Sequence, residues 1–185
     1  LEFRRVLFRS ISDVVLGVMA NVFYIEKGFS VAEIATYSKF FGTIATVIGG
    51  IIGGLAAVHL GIMRSLFIGA LISSLSNLLF AWLANIAADI RILSFVITAD
   101  NIASGFAGAT FIVYLSALTS VKFTATQYAL FSSVMLFLPK LIAGYAGSFV
   151  NLFGYQTFFI FTAIIGVPVL FLIMWINKIV NINKN

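Results

Sequence analysis

The stretch ITADNIASGFAGATFIVYLSALTSVKFTATQYALFSSV, residues Ile97–Val134, decides how the chain is read. It is apolar enough to lie in a bilayer, yet Asp100 and Asn101 stand side by side within it. It breaks at a polar turn, Thr119 to Thr126, and resumes as a second apolar run. An ionisable group at bilayer depth is costly and faces a cavity or a partner by default. The spacing therefore predicts that Asp100 lines a polar path between packed membrane helices.

Composition agrees with that setting. The 185 residues are 62% hydrophobic and only 9% charged, and mean hydropathy is +1.14. Soluble domains are about 45–50% apolar and about 25% charged, so this surface belongs in lipid. Cysteine is absent, which removes disulfides, thiolate nucleophiles and cysteine metal sites. The +5 formal charge is scattered, without the basic stripe that tracks phosphates, so no nucleic-acid partner is expected. No HExxH, GxSxG, P-loop or close carboxylate pair occurs, so no enzyme, metal or cofactor is expected.

Six apolar spans are readable outward from the opening stretch, each to be compared with the roughly 20 residues a crossing needs. They are Ile11–Ile25, Val31–Val58, Ser65–Ala84, Arg91–Leu118, Gln127–Val150 and Thr157–Trp175. The expected fold class is an all-α membrane bundle of six transmembrane helices. Residues 1–10, LEFRRVLFRS, look like a translated sequencing adapter, a non-native segment ahead of a helical body at 11–177 and a polar tail at 178–185. Setting aside Arg4, Arg5, Arg9 and Glu2 lowers the net charge from +5 to +3. On this reading the native amino terminus is missing and the first span is cut short.

Ser30 and Glu33 form a capping box that starts the second span after the Gly28 turn. Lys39, Gly42, Thr43, Thr46, Gly50 and Gly53 fall on one face of an ideal α-helix. Gly49 with Gly53, and Gly50 with Gly54, are small-xxx-small pairs, which let helix backbones approach in lipid. Turns follow at His59–Arg64, Asn85–Asp89 and Asn151–Gln156. Placing the His59–Arg64 turn in the cytoplasm puts Arg64, Lys122, Lys178 and Lys184 inside, and Lys27 and Arg91 outside with Glu26, Glu33 and Asp89. The positive-inside rule favours that choice, with a cytoplasmic carboxy terminus.

Three charges lie away from loops: Lys39, Asp100 and Lys140. Asp100 is nine residues past Arg91, ~13 Å deep, and Lys140 is ~15 Å from the Asn151 turn. Ser104 and Gly108 extend the Asp100 face, and Pro139 predicts a kink beside Lys140. Two readings stay open: Asp100 and Lys140 form a static ion pair, or they line a path. Asp13 reads as a helix-start residue, Lys39 as able to snorkel, and His59 as a loop residue. Tyr114 and Tyr128 read as interfacial anchors.

The segments DVVLGVMANVFYIEKGFSVAEIATYSKFFGTIATVIGG, GIMRSL, FVITADNIASGFAGATFIVYLSAL and FTATQYALFSS resemble the carboxy-terminal half of AmpG-type muropeptide permeases, in the major facilitator superfamily. The resemblance covers Ile11 to Trp175. It implies a twelve-helix bacterial inner-membrane transporter built from two halves, importing anhydromuropeptides from peptidoglycan turnover with protons. Gly61 and Arg64 are similar to the superfamily's inter-helix turn motif, whose acidic residue is absent here. The resemblance implies that Asp100, Asn101 and Lys140 face the central cavity, with Ser104 on the same wall and Lys39 and Gln127 near its mouths. It also implies that a six-helix amino-terminal half is missing and that this half alone does not transport. Related acetyl-coenzyme A transporters look similar in the same region. A solute of that kind, or a non-transporting membrane fragment, is the alternative.

Overall fold

The computed structural model describes residues 2–118 and 124–182, and every described element is helical. The order is α1 (Glu2–Glu26), α2 (Val31–Ile34), a π-helical stretch (Ala35–Phe41), α3 (Gly42–His59), α4 (Ile62–Asn85), α5 (Ile90–Leu118), α6 (Thr124–Ala143) and α7 (Ala146–Ile182). Among the described residues, four helical segments are long and apolar enough to cross a membrane: Val31–His59, Ile62–Asn85, Ile90–Ala117 and Ala146–Pro168. Within α1, Val14–Glu26 is a shorter apolar helix.

Local chemistry sets the helix ends. Ser30 Oγ accepts from the Glu33 backbone N–H at 3.2 Å, and the Ser30 N–H donates to Glu33 Oε2 at 2.8 Å. This is the expected capping box, which satisfies donors that a helix start leaves orphaned. Gly28 and Gly61 take φ of +100° and +86°, a region side chains avoid, and so reverse the chain after α1 and α3. Asp89 accepts from the Arg91 N–H at 2.7 Å and opens α5. Lys27 Nζ donates to the Ala84 carbonyl at 2.7 Å, placing a cation at the carboxy-terminal end of α4, where the helix dipole favours it.

Helix directions follow from who meets whom. Gly42, Gly49 and Gly53 meet Asn101, Ile102 and Phe106 in the same order, so α3 and α5 run parallel. Gly69 meets Ala107 while Ser76 bonds Asp100, so α4 and α5 run antiparallel. Tyr24 stacks on Phe80 and Lys27 reaches Ala84, so α1 lies parallel to α4. The core sits where α1, α4 and α7 converge, around Phe23, Phe80, Phe158 and Phe159. Phe159 touches both Phe23 and Phe80, with ring centroids 5.0 and 5.3 Å apart.

The α7 range hides a reversal. Phe149 and Phe161 stack with centroids 5.0 Å apart, whereas twelve residues of straight helix would separate them by ~18 Å. Gly154, at φ +78° and ψ +165°, folds residues 155–182 back on residues 146–153. The turn expected at Asn151–Gln156 therefore exists as this single-glycine bend.

Other expectations need correction. The second span is not one continuous α-helix, since residues 35–41 are π-helical. The fifth span does not run unbroken to Val150. It continues through Pro139 to Ala143, then breaks at Gly144 and Tyr145, whose N–H groups turn back to the Lys140 and Ile142 carbonyls. Residues 178–182, within the expected polar tail, are helical, and a helix begins at Glu2, ahead of the first expected span. The Lys122 position, part of the Thr119–Thr126 turn and Lys184 lie outside the described residues, as do the side chains of Asp13, Tyr128 and Lys178.

Candidate functional site: a carboxylate at mid-depth

Asp100 is half-buried on α5, ten residues after Ile90, or ~15 Å along the helix. Ser76 stands nine residues before Asn85 on antiparallel α4, which matches that depth. Ser76 Oγ lies 2.9 Å from Asp100 Oδ1 and 2.9 Å from the Ser73 carbonyl. A hydroxyl has one proton, so the two acceptors share it. Tyr24 of α1, buried, lies close enough to feel the Asp100 charge. Buried Ser73 and Asn77 flank Ser76 on α4. Asp100 thus projects into a seam between α1, α4 and α5 that carries hydroxyls and an amide.

Asn101 turns the other way, towards α3. Its Nδ2 donates to the Ile97 carbonyl at 2.8 Å, and its Oδ1 accepts from Thr46 Oγ1 at 2.9 Å. Gly42 leaves room for this amide: a Cβ there would stand 3.1 Å from Asn101 Nδ2. The adjacent pair therefore divides its roles, with Asn101 tying α5 to α3 and Asp100 facing α4 and α1.

The face beyond Asp100 opens. Ser104 is exposed, and nothing approaches within 4 Å of where a Gly108 Cβ would lie. A crevice of about 530 Å³ between α4 and α5 is lined by Leu75, Ser76, Leu79, Ile102 and Ala103. Its other lining residues are apolar, while Ser104, one helical turn past Asp100, is exposed.

The remaining residues singled out from sequence fall apart from this site. Lys140 is exposed on α6, and no ion pair joins it to Asp100 among the described residues. Helix α6 packs mainly on α1, while Ser76 of α4 bonds Asp100. Lys39 is exposed within the π-helical stretch, and Gln127 is half-buried on α6. Lys39 does not share the packed face of Gly42, because a π turn holds an extra residue and rotates everything before it. The buried stripe of α3 is Gly42, Ala45, Gly49, Gly53 and Ala57, and Thr43 is exposed.

Gly49 and Gly53 press on the backbones of Ile102 and Phe106, and Gly105 presses on Thr46 and Gly50. Gly54 faces open space, so the Gly50–Gly54 pair does not act as a unit. The α3–α4 turn expected at His59–Arg64 is shorter: Gly61 supplies its positive φ, and Arg64 is exposed in the first turn of α4. Sequence reading passed over Ser73, Ser76, Asn77 and Tyr24. The polar run Ser73-Ser74-Leu75-Ser76-Asn77 at mid-span was the available signal.

Long apolar helices, lipid-ready flanks such as Ile44, Val47, Ile51, Leu55 and Val58, and a hydrogen-bonded carboxylate at mid-depth define a multi-pass membrane protein. No family model matches the chain. It is 38% identical over 177 residues to "Putative transporter AmpG 4" of Rickettsia felis, covering 96% of this chain and 43% of that protein. It is 35% identical over 176 residues to "Putative transporter AmpG 1" of Rickettsia prowazekii, covering 95% and 40%. The chain is a relative of the AmpG transporters along nearly its whole length, and it spans about two fifths of theirs.

Proposed function

We propose that the chain is the carboxy-terminal six-helix half of a major facilitator superfamily importer. This importer takes up anhydromuropeptides with protons across the bacterial inner membrane, and the carboxy terminus of the chain is cytoplasmic. The sixth crossing comes from counting α1, residues 31–59, α4, α5, α6 continued by residues 146–153, and residues 155–182. An amino-terminal half of equal size supplies the other wall of the path, since binding in this architecture lies between halves near the midplane.

One observation carries the reading. Asp100 sits at mid-depth with one side held by Ser76 and its helix face continuing into exposed Ser104 and open Gly108. A carboxylate so placed, with the Ser76 hydroxyl beside it, can take a proton from a wet cavity and lose it again. Ser104 belongs to the same wall. Lys140 and Lys39, exposed and outside any ion pair with Asp100, are cations available to an anionic solute.

The test is uptake of labelled anhydromuropeptide by the full-length transporter containing this chain. Asp100→Asn should abolish uptake driven by a proton gradient while leaving solute exchange and expression intact. Gradient-driven uptake at the unaltered rate would remove Asp100 from the mechanism.

A further inference from the structure

A second polar site lies where α1 and α4 end and α7 bends. There a cavity of about 400 Å³ is lined by Glu26, Lys27, Asn85, Tyr155, Gln156 and Thr157 over an apolar floor that includes Phe23 and Phe153. We propose that this cavity holds the head group of a phospholipid bearing both a phosphate and a primary ammonium, the phosphate on Lys27 and the ammonium on Glu26.

Opposite charges on consecutive residues at one rim match a zwitterion. Lys27 Nζ is tied to the Ala84 carbonyl at 2.7 Å. An ammonium has three N–H groups, so this contact orients the cation and leaves donors for a phosphate. The Tyr155 hydroxyl is within hydrogen-bonding reach of the Glu26 carboxylate, which fixes the acidic partner while its remaining lone pairs stay available. Asn85 and Gln156 add amides suited to phosphate oxygens and ester groups.

The surroundings select a lipid over a free ion. Leu152 and Phe153 are 76% and 59% exposed beside the bend, and Trp82, three residues before Asn85, is 47% exposed. Acyl chains can lie on these residues while the head group enters the cavity. Helix ends carrying Trp, Tyr and Lys lie in the head-group zone of a bilayer. This inference does not depend on Asp100 or on transport.

The test uses the whole chain, reconstituted in vesicles holding equal parts phosphatidylethanolamine, phosphatidylcholine and phosphatidylglycerol. Lipid retained after mild detergent extraction is counted by native mass spectrometry. Phosphatidylethanolamine should be enriched several-fold over both others. Choline cannot donate a hydrogen bond to Glu26, and glycerol carries no cation. Lys27→Met should lower retention of the enriched lipid roughly tenfold, the scale of one charge-assisted hydrogen bond, with Lys27→Arg restoring it. Glu26→Gln should erase the preference over phosphatidylglycerol. Retention that follows the bulk composition in the unaltered chain overturns the proposal without recourse to any variant. An enrichment untouched by both substitutions also overturns it.

Discussion

Replacing Gly49 by alanine should destabilise the α3–α5 pair, while the same change at Gly54, five residues on, should stabilise the helix. A Cβ on Gly49 would lie 2.9 Å from both Cα and carbonyl carbon of Ile102, and closer still to its oxygen. Carbon atoms settle at about 3.5–4.0 Å, so α5 must withdraw by roughly 0.6–1 Å. The obstacle is backbone, which cannot rotate aside. Overpacking of this kind costs about 1–3 kcal/mol.

The same withdrawal stretches the Thr46–Asn101 hydrogen bond beyond its present 2.9 Å, to a length at which it no longer counts as one. Losing it costs about 0.6 kcal/mol on the average for interhelical bonds in membranes. Against this stands the gain of about 1 kcal/mol for alanine over glycine within a helix. The net for Gly49→Ala is a loss of about 0.6–2.6 kcal/mol. Gly54 has nothing within 4 Å of its virtual Cβ, so only the propensity gain of up to about 1 kcal/mol applies. Unfolding in mixed micelles by added dodecyl sulfate, followed by circular dichroism, reads both variants. If Gly49→Ala proves as stable as Gly54→Ala, the close approach of α3 to α5 is wrong.

Lys140→Met should leave the unfolding midpoint unchanged, because Lys140 pairs with no carboxylate among the described residues. Ser76→Ala should lower stability by about 0.5–1.5 kcal/mol through the lost bond to Asp100; a reversed order would reinstate an Asp100–Lys140 pair. Gly154→Ala should cost about 1–3 kcal/mol, since a backbone at φ +78° and ψ +165° is open essentially to glycine alone. Gly154→Asn should fare no better, because asparagine tolerates the left-handed helical region and not this one, and equal stability of all three chains in the same titration would mean the bend does not need its glycine.

The membrane setting, the places where most helices begin and the presence of a carboxylate at mid-depth were all determined by the amino-acid sequence alone. Those properties are local. Hydropathy over about 20 residues fixes what lipid accepts, Ser30 and Glu33 cap their own helix, and glycines at 28, 61 and 154 reverse the chain wherever they occur. Partnership is not local, and only the tertiary structure decided it. Asp100 and Lys140 look like a pair because both are deep and opposite in sign, yet α5 packs mainly on α3 and α4 while α6 packs mainly on α1. The π turn at residues 35–41 rotates Lys39 off a face that ideal α-periodicity assigns to it, and which glycines touch a backbone depends on where α5 lies. Hydrogen-bond partners such as Ser76 for Asp100 and Thr46 for Asn101 are set by the register between helices. That register is the sum of many side-chain packings, which no single stretch of the chain contains.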